Sequence, residues 1–149
     1  MEALGEDHFR VKLGATTLAD YDDVMNFMPQ GNPDFRRQLV VYPLTVGKEW
    51  PISRRFDNPS TSEMGKAKVV AVEQLTVAAG TYQCFNIDAE SSLVNKMYSE
   101  RRFWNRWYCP EVKWFAKEVV ETRISDPRNP AAGGTTIDTS ELVRFTPGK

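Results

Sequence analysis

The stretch that decides the fold runs KAKVVAVEQLTV (Lys66–Val77), AAGT (Ala78–Thr81) and YQCFNIDA (Tyr82–Ala89). In its first part Ala67, Val69, Ala71, Leu75 and Val77 alternate with Lys66, Lys68, Gln74 and Thr76. A period of two is the mark of a strand with one covered face. Gly80 supplies the residue that tolerates positive φ in a tight turn, so the chain is predicted to fold back at once into a second strand. Glu73 falls in the apolar row of the first strand.

Working outward, Arg101–Tyr108 is predicted to pair with Tyr82–Ala89 through a turn near Asn95–Lys96. Lys113–Ile124 alternates as cleanly: Trp114, Ala116, Glu118, Val120, Thr122 and Ile124 share a parity opposite to Lys113, Lys117, Glu121 and Arg123. Ser125–Gly134 is a Pro/Gly-rich connection and Thr135–Phe145 a closing strand. Towards the N-terminus, His8–Leu13 alternates and should be a strand ended by Gly14. Thr17–Met28 begins with Thr17 and Asp20 in capping-box style, carries Leu18, Tyr21, Met25 and Met28 on one helical face, and meets Pro29, so a short helix is expected there. Gln30–Pro33 reads as a turn or loop and Gln38–Leu44 as a strand. Trp50–Phe56 reads as an edge strand because of Pro51, and Asp57–Gly65 as a polar loop.

The pattern predicts a mainly β fold: one antiparallel, strongly curved sheet or half-barrel of about seven or eight strands with at most one short helix. With 149 residues, 41% hydrophobic and 26% charged, the chain suits a single β domain over 1–149, its core sheet in 38–146 and a less regular lead in 1–37. Nineteen Lys+Arg against 20 Asp+Glu leave a formal charge of −1, which offers no electrostatic footprint for nucleic acid. No run is apolar for long enough to form an integral membrane span. With a single histidine, His8, and two cysteines without ligand spacing, the sequence implies no metal and no cofactor. Gly133-Gly134 lacks the strand and helix of a phosphate loop.

Tyr42-Pro43-Leu44-Thr45-Val46-Gly47-Lys48-Glu49-Trp50, then Glu73 to Tyr82, then Trp107-Tyr108-Cys109-Pro110, then Glu141-Leu142-Val143 resemble a family of uncharacterised bacterial secreted or lipid-anchored β domains. The family pattern is PL-x-VGK-x-W, E-x-VTV-x-AGTF, WY-x-P and EL. The resemblance covers roughly 42–145. Glu111-Val112-Lys113 stands where the family has a glycine turn. It implies a fold similar to lipoprotein-carrier half-barrels and a periplasmic or extracellular location. Met1-Glu2 and Gly5-Glu6-Asp7 carry no signal-peptide pattern, so such a segment is expected to have been removed. No catalytic residue carries over.

Candidate site residues come from two groups. Trp104, Trp107, Tyr108 and Trp114 stand among Arg101, Arg102, Arg106 and Lys113, where rings and cations can stack a ligand or simply pack. In a strand Phe103 and Trp107 face one way, Trp104 and Tyr108 the other. Glu73 and Glu118 sit in apolar rows: together they would make an acid/base pair, apart each would pair with an arginine or be turned outward by a bulge. A hairpin centred between Lys96 and Met97 puts Cys84 opposite Cys109, within reach of a disulfide, while free buried thiols remain the other outcome.

The expected function is therefore a non-enzymatic envelope or secreted module binding an apolar or amphiphilic small molecule or a protein segment. The alternatives are a structural domain of an envelope assembly without a pocket, and a glycan-acting enzyme using Glu73 and Glu118. Oligomeric state is not readable from the sequence.

Overall fold

The computed structural model describes the backbone over 2–5, 8–13, 16–22, 26–28, 37–55, 61–95 and 98–146, and side chains over 39–53, 61–95 and 98–146. Its strands are β1 (Glu2–Gly5), β2 (His8–Leu13), β3 (Thr16–Asp22), β4 (Asn26–Met28), β5 (Arg37–Gln38), β6 (Glu49–Arg55), β7 (Ser62–Val77), β8 (Gly80–Val94), β9 (Ser99–Cys109), β10 (Trp114–Ser125) and β11 (Gly134–Glu141). Helix is limited to one 3-10 turn at Pro130–Ala132 among the described residues. Strands β1 to β5 form one sheet in sequence order. Strands β6 to β11 form a second, six-stranded antiparallel sheet, open at both ends.

The second sheet is a meander in sequence order, and its connections from β7 onward are chemically specified. Val77 opposes Gly80 across the two-residue turn Ala78-Ala79, and Gly80, which closes it, takes φ +141°. At the β8–β9 turn, Asn95 Oδ1 accepts from the Tyr98 N–H at 2.9 Å, and the Asn95 N–H donates to the Tyr98 carbonyl. Between β9 and β10 the Lys113 N–H donates to the Cys109 carbonyl at 2.9 Å while Lys113 sits at φ +57°. After β10, Asp126 Oδ1 accepts from the Arg128 and Asn129 N–H groups, and those bonds hold its carboxyl below the usual range. β6 takes the sheet edge as Pro51 requires, since proline cannot donate to a central ladder.

Two bulges decide where the core lies. In β7, Val69 opposes Ile87 but Ala71 opposes Asn86, so Val70 is the extra residue. In β10, Phe115 opposes Tyr108 and Lys117 opposes Trp107, so Ala116 is extra. A bulge shifts the alternation by one, and every residue beyond it turns to the other face. The apolar row Ala67 to Val77 is therefore divided. Ala67 and Val69 join Trp50, Ile87, Trp104 and Phe115 in one buried cluster. Beyond the bulge, Leu75 and Val77 join Tyr82, Cys84, Cys109 and Val112 in another. Register places these clusters on opposite faces, because Trp104 and Trp107 differ by an odd step along β9. Each fully buried Val or Ile contributes roughly 1.5–3 kcal/mol, and Val40, Val69 and Ile87 are the best buried of the first cluster's branched side chains.

Several expectations are corrected. The helix over Thr17–Met28 is replaced by β3 and β4. Tyr21 pairs with Phe9 and Ala19 with Val11, so ladder hydrogen bonds and the extended preference of Thr16, Thr17 and Tyr21 override the weak helical spacing. The strand at Gln38–Leu44 is confined to Arg37–Gln38; beyond it Leu39 and Val40 bury their side chains without a ladder, and the Tyr42–Pro43 peptide is cis. Ser62–Gly65 belongs to β7 rather than to a loop. The closing strand stops at Glu141, and Leu142 and Phe145 pack as irregular chain on the second cluster. The main sheet holds six strands where about seven or eight were expected, and the N-terminal strands form a sheet of their own. Gly14, Met25, Pro29, the Gln30–Pro33 turn and Phe56 lie outside the described residues.

Candidate functional site

Each sequence-predicted residue falls on a definite face. On the Trp104 face, Trp104 and Tyr108 are buried, at 4% and 3% exposure, so they are core. Arg106 crosses between them. Its guanidinium lies 5.0 Å from the Trp104 ring centroid and 5.4 Å from that of Phe115, and it donates to Glu118. Arg106 is itself buried, and a buried guanidinium needs a carboxylate to compensate lost hydration. Glu118 is thus the arginine partner that its place in an apolar row suggested. The Tyr108 hydroxyl meets the Tyr42 hydroxyl, and burial together with that bond raises the phenol's pKa well above its ordinary value.

The Trp107 face is different. Trp107 is half-buried and its indole N–H donates to Glu73 Oε1. Asn86 Nδ2 donates to the same oxygen at 3.0 Å. Asn105 Nδ2 then donates both to Asn86 Oδ1, at 2.8 Å, and to Asp88 Oδ1. The result is a continuous row, Trp107–Glu73–Asn86–Asn105–Asp88, across three neighbouring strands. Glu73 was expected to pair with an arginine in an apolar row unless a bulge turned it outward. It is instead exposed and bonded to an indole and an amide, because the Val70 bulge carries it to the face where Trp107 lies. Lys117 completes the end of the row, its Nζ 5.9 Å from the Trp107 ring centroid and 2.6 Å from Glu141.

Glu73 and Glu118 are not brought together. Their partners Trp107 and Arg106 are adjacent in β9, so the carboxyls leave the sheet in opposite directions. Trp114 is half-buried at the β9–β10 turn, packed against both clusters and edge-on to Phe115 at 5.5 Å. The four aromatic candidates thus divide into two core rings, one junction ring and one ring on the open face. Sequence reasoning missed Asn86, Asn105 and Asp88. Their signal was present as an Asn-x-Asp and a Phe-x-Asn-x-Trp alternation on adjacent strands, unreadable without the register.

Cys84 and Cys109 form a disulfide, with Cα atoms 4.2 Å apart. The hairpin register that places them opposite each other is the expected one, since Phe85 pairs with Tyr108. Among the described residues no cluster of His, Cys, Asp and Glu is arranged to hold a metal ion, and no helix is long and apolar enough to cross a membrane. The hollow lined by Met64, Gly65, Glu90, Ser91, Ser92 and Arg101 encloses about 90 Å³, far below the roughly 300–1,000 Å³ of sites that engulf a small molecule.

At the far edge, β11 pairs with β10 over eight consecutive residue pairs, Lys117↔Glu141 to Ile124↔Gly134, without a bulge. Every residue of β11 is exposed. It carries no proline and no lysine, the usual devices that blunt an edge.

No family model matches the chain, and neither a curated protein nor a solved structure does.

Proposed function

We propose that the chain is a non-enzymatic binding module of the cell envelope or the extracellular space that captures an extended protein segment by strand addition to β11. The observation that carries this reading is the long, regular, uncovered β11 edge. An antiparallel edge strand offers alternate N–H and C=O groups along its outer side, and only another extended backbone satisfies them in series. Ile137, 66% exposed, and Ile124, 39% exposed, provide apolar contacts beside that edge. The apolar-hollow reading is weaker, because Trp104 and Tyr108, two of the four rings it relied on, are consumed by core packing. The envelope location rests on the Cys84–Cys109 disulfide, a bond that persists in oxidising compartments, and on the motif resemblance. Strong half-barrel curvature and a bacterial, lipoprotein-like origin belong to that resemblance and are part of the proposal.

The test is a peptide-display selection against the folded protein, with bound peptides mapped by amide chemical shifts. Enriched peptides should alternate apolar and polar residues and perturb β10 and β11. Replacing Thr136 with proline should abolish capture. Enrichment of no peptide, or perturbations confined to other strands, would refute the reading.

A further inference from the structure

We infer that the Trp107 face carries a saccharide-binding platform, and that its ligand is a neutral oligosaccharide. The inference rests on residues other than those of the β11 edge. Two observations support it. Trp107 presents a half-buried indole on an open sheet face, held in place by its N–H bond to Glu73. Apolar C–H faces of a sugar ring stack on such a surface. Next to it, Glu73, Asn86, Asn105 and Asp88 are locked by mutual hydrogen bonds, so their planar groups are fixed before any ligand arrives. Fixing these groups removes an ordering cost from binding.

The chemistry of the row selects the ligand. Each carboxylate uses one oxygen in the row, Glu73 Oε1 and Asp88 Oδ1, and each has a second oxygen with acceptor capacity. Sugar hydroxyls are donors that match acceptors spaced along a strand face. Glu73 and Asp88 lie on either side of Asn86 and Asn105, and Lys117 at the Trp107 end is already paired with Glu141, so the row keeps an acidic balance that disfavours phosphate groups. That argues against nucleic acid or a phosphorylated sugar at the same ring. The row spans β7 to β9, two strand spacings or about 10 Å, which suits a short oligosaccharide lying across the strands better than a single ring.

The probes are cellotriose, maltotriose and N-acetylchitotriose, titrated to millimolar concentration into the whole chain, with the Trp107 indole N–H resonance as readout. At least one of them should shift that resonance saturably. Glu73→Ala, an exposed substitution, should weaken the binding by about tenfold or more, as expected for hydrogen bonds to a charged group. Trp107→Phe, which keeps a ring but loses the N–H, should weaken it as well when followed by isothermal titration calorimetry, with an unchanged thermal midpoint confirming the fold. Thr136→Pro on β11 should leave sugar binding intact, which separates this platform from strand capture. If none of the three sugars moves the resonance, or if Glu73→Ala binds as tightly as the parent, the platform does not exist. A single-stranded oligonucleotide that shifts the same resonance while the sugars do not would overturn the choice of ligand.

Discussion

Gly65 stands in β7 where a side chain has no room. A Cβ there would lie 1.9 Å from the Glu90 carbonyl oxygen and 2.6 Å from the Ser91 Cα. Both are backbone atoms of the neighbouring strand, so Gly65→Ala forces the ladder apart. It should cost about 1–3 kcal/mol in denaturant titration, as overpacking does elsewhere. The tryptophans give a graded comparison. Trp104 is buried in the first cluster, and Trp104→Ala should cost about 3–5 kcal/mol. Trp114 is only half-buried, so Trp114→Ala should cost clearly less, and equal losses would contradict the assignment of faces. Tyr108 sets a pH limit. Its folded-state pKa is raised by burial and by its bond to Tyr42. The stabilisation is fully present below the unfolded phenol's pKa of about 10 and is lost as pH rises beyond it. Unfolding followed against pH should show the wild type losing more stability above pH ~10 than Tyr108→Phe does.

Among the elements, the β8–β9 hairpin was the most legible. Its register followed from the spacing of the strands, and the Cys84–Cys109 bond fits that register. The bond closes a loop of 25 residues' separation. Restricting the unfolded chain by such a loop is worth about 3 kcal/mol, so reduction should lower the midpoint of denaturation accordingly. Thiol titration of unfolded, unreduced protein should find no free thiol; two would contradict the bond. The bulges were not legible. Val70 and Ala116 are ordinary strand residues, and nothing in a period-two pattern announces that one of them is extra. For this reason the face of Glu73 was misplaced, whereas Thr17–Met28 was read as a helix from a weak helical spacing of apolar residues. In both places the winning term is a cross-strand partner: Trp107 for Glu73, and β2 for β3. Glu118 was legible in its simplest form, because an acidic residue in an apolar row of an arginine-rich protein most economically meets an arginine.

As a whole molecule, the main sheet protects both its faces incompletely and leaves β11 uncovered. Apolar packing is split between two faces, Ile52 and Trp104 on one and Cys84 and Val112 on the other, so neither face is wholly core. The mainly β class was evident from alternation alone. The division into two sheets and the two-sided core depended on register, which becomes fixed only when strands meet. The proposed surfaces followed the same rule: the Trp107 row and the β11 edge are products of pairing, and of the six candidate residues the core claimed Trp104 and Tyr108. The strand-capture reading stands on β11 being an open edge, and amide hydrogen exchange resolved along Gly134–Glu141 tests that most directly. Alternate amides should be protected by β10 and the amides between them should exchange freely. Uniform protection along the strand in the isolated protein would show the edge already covered and would contradict the account.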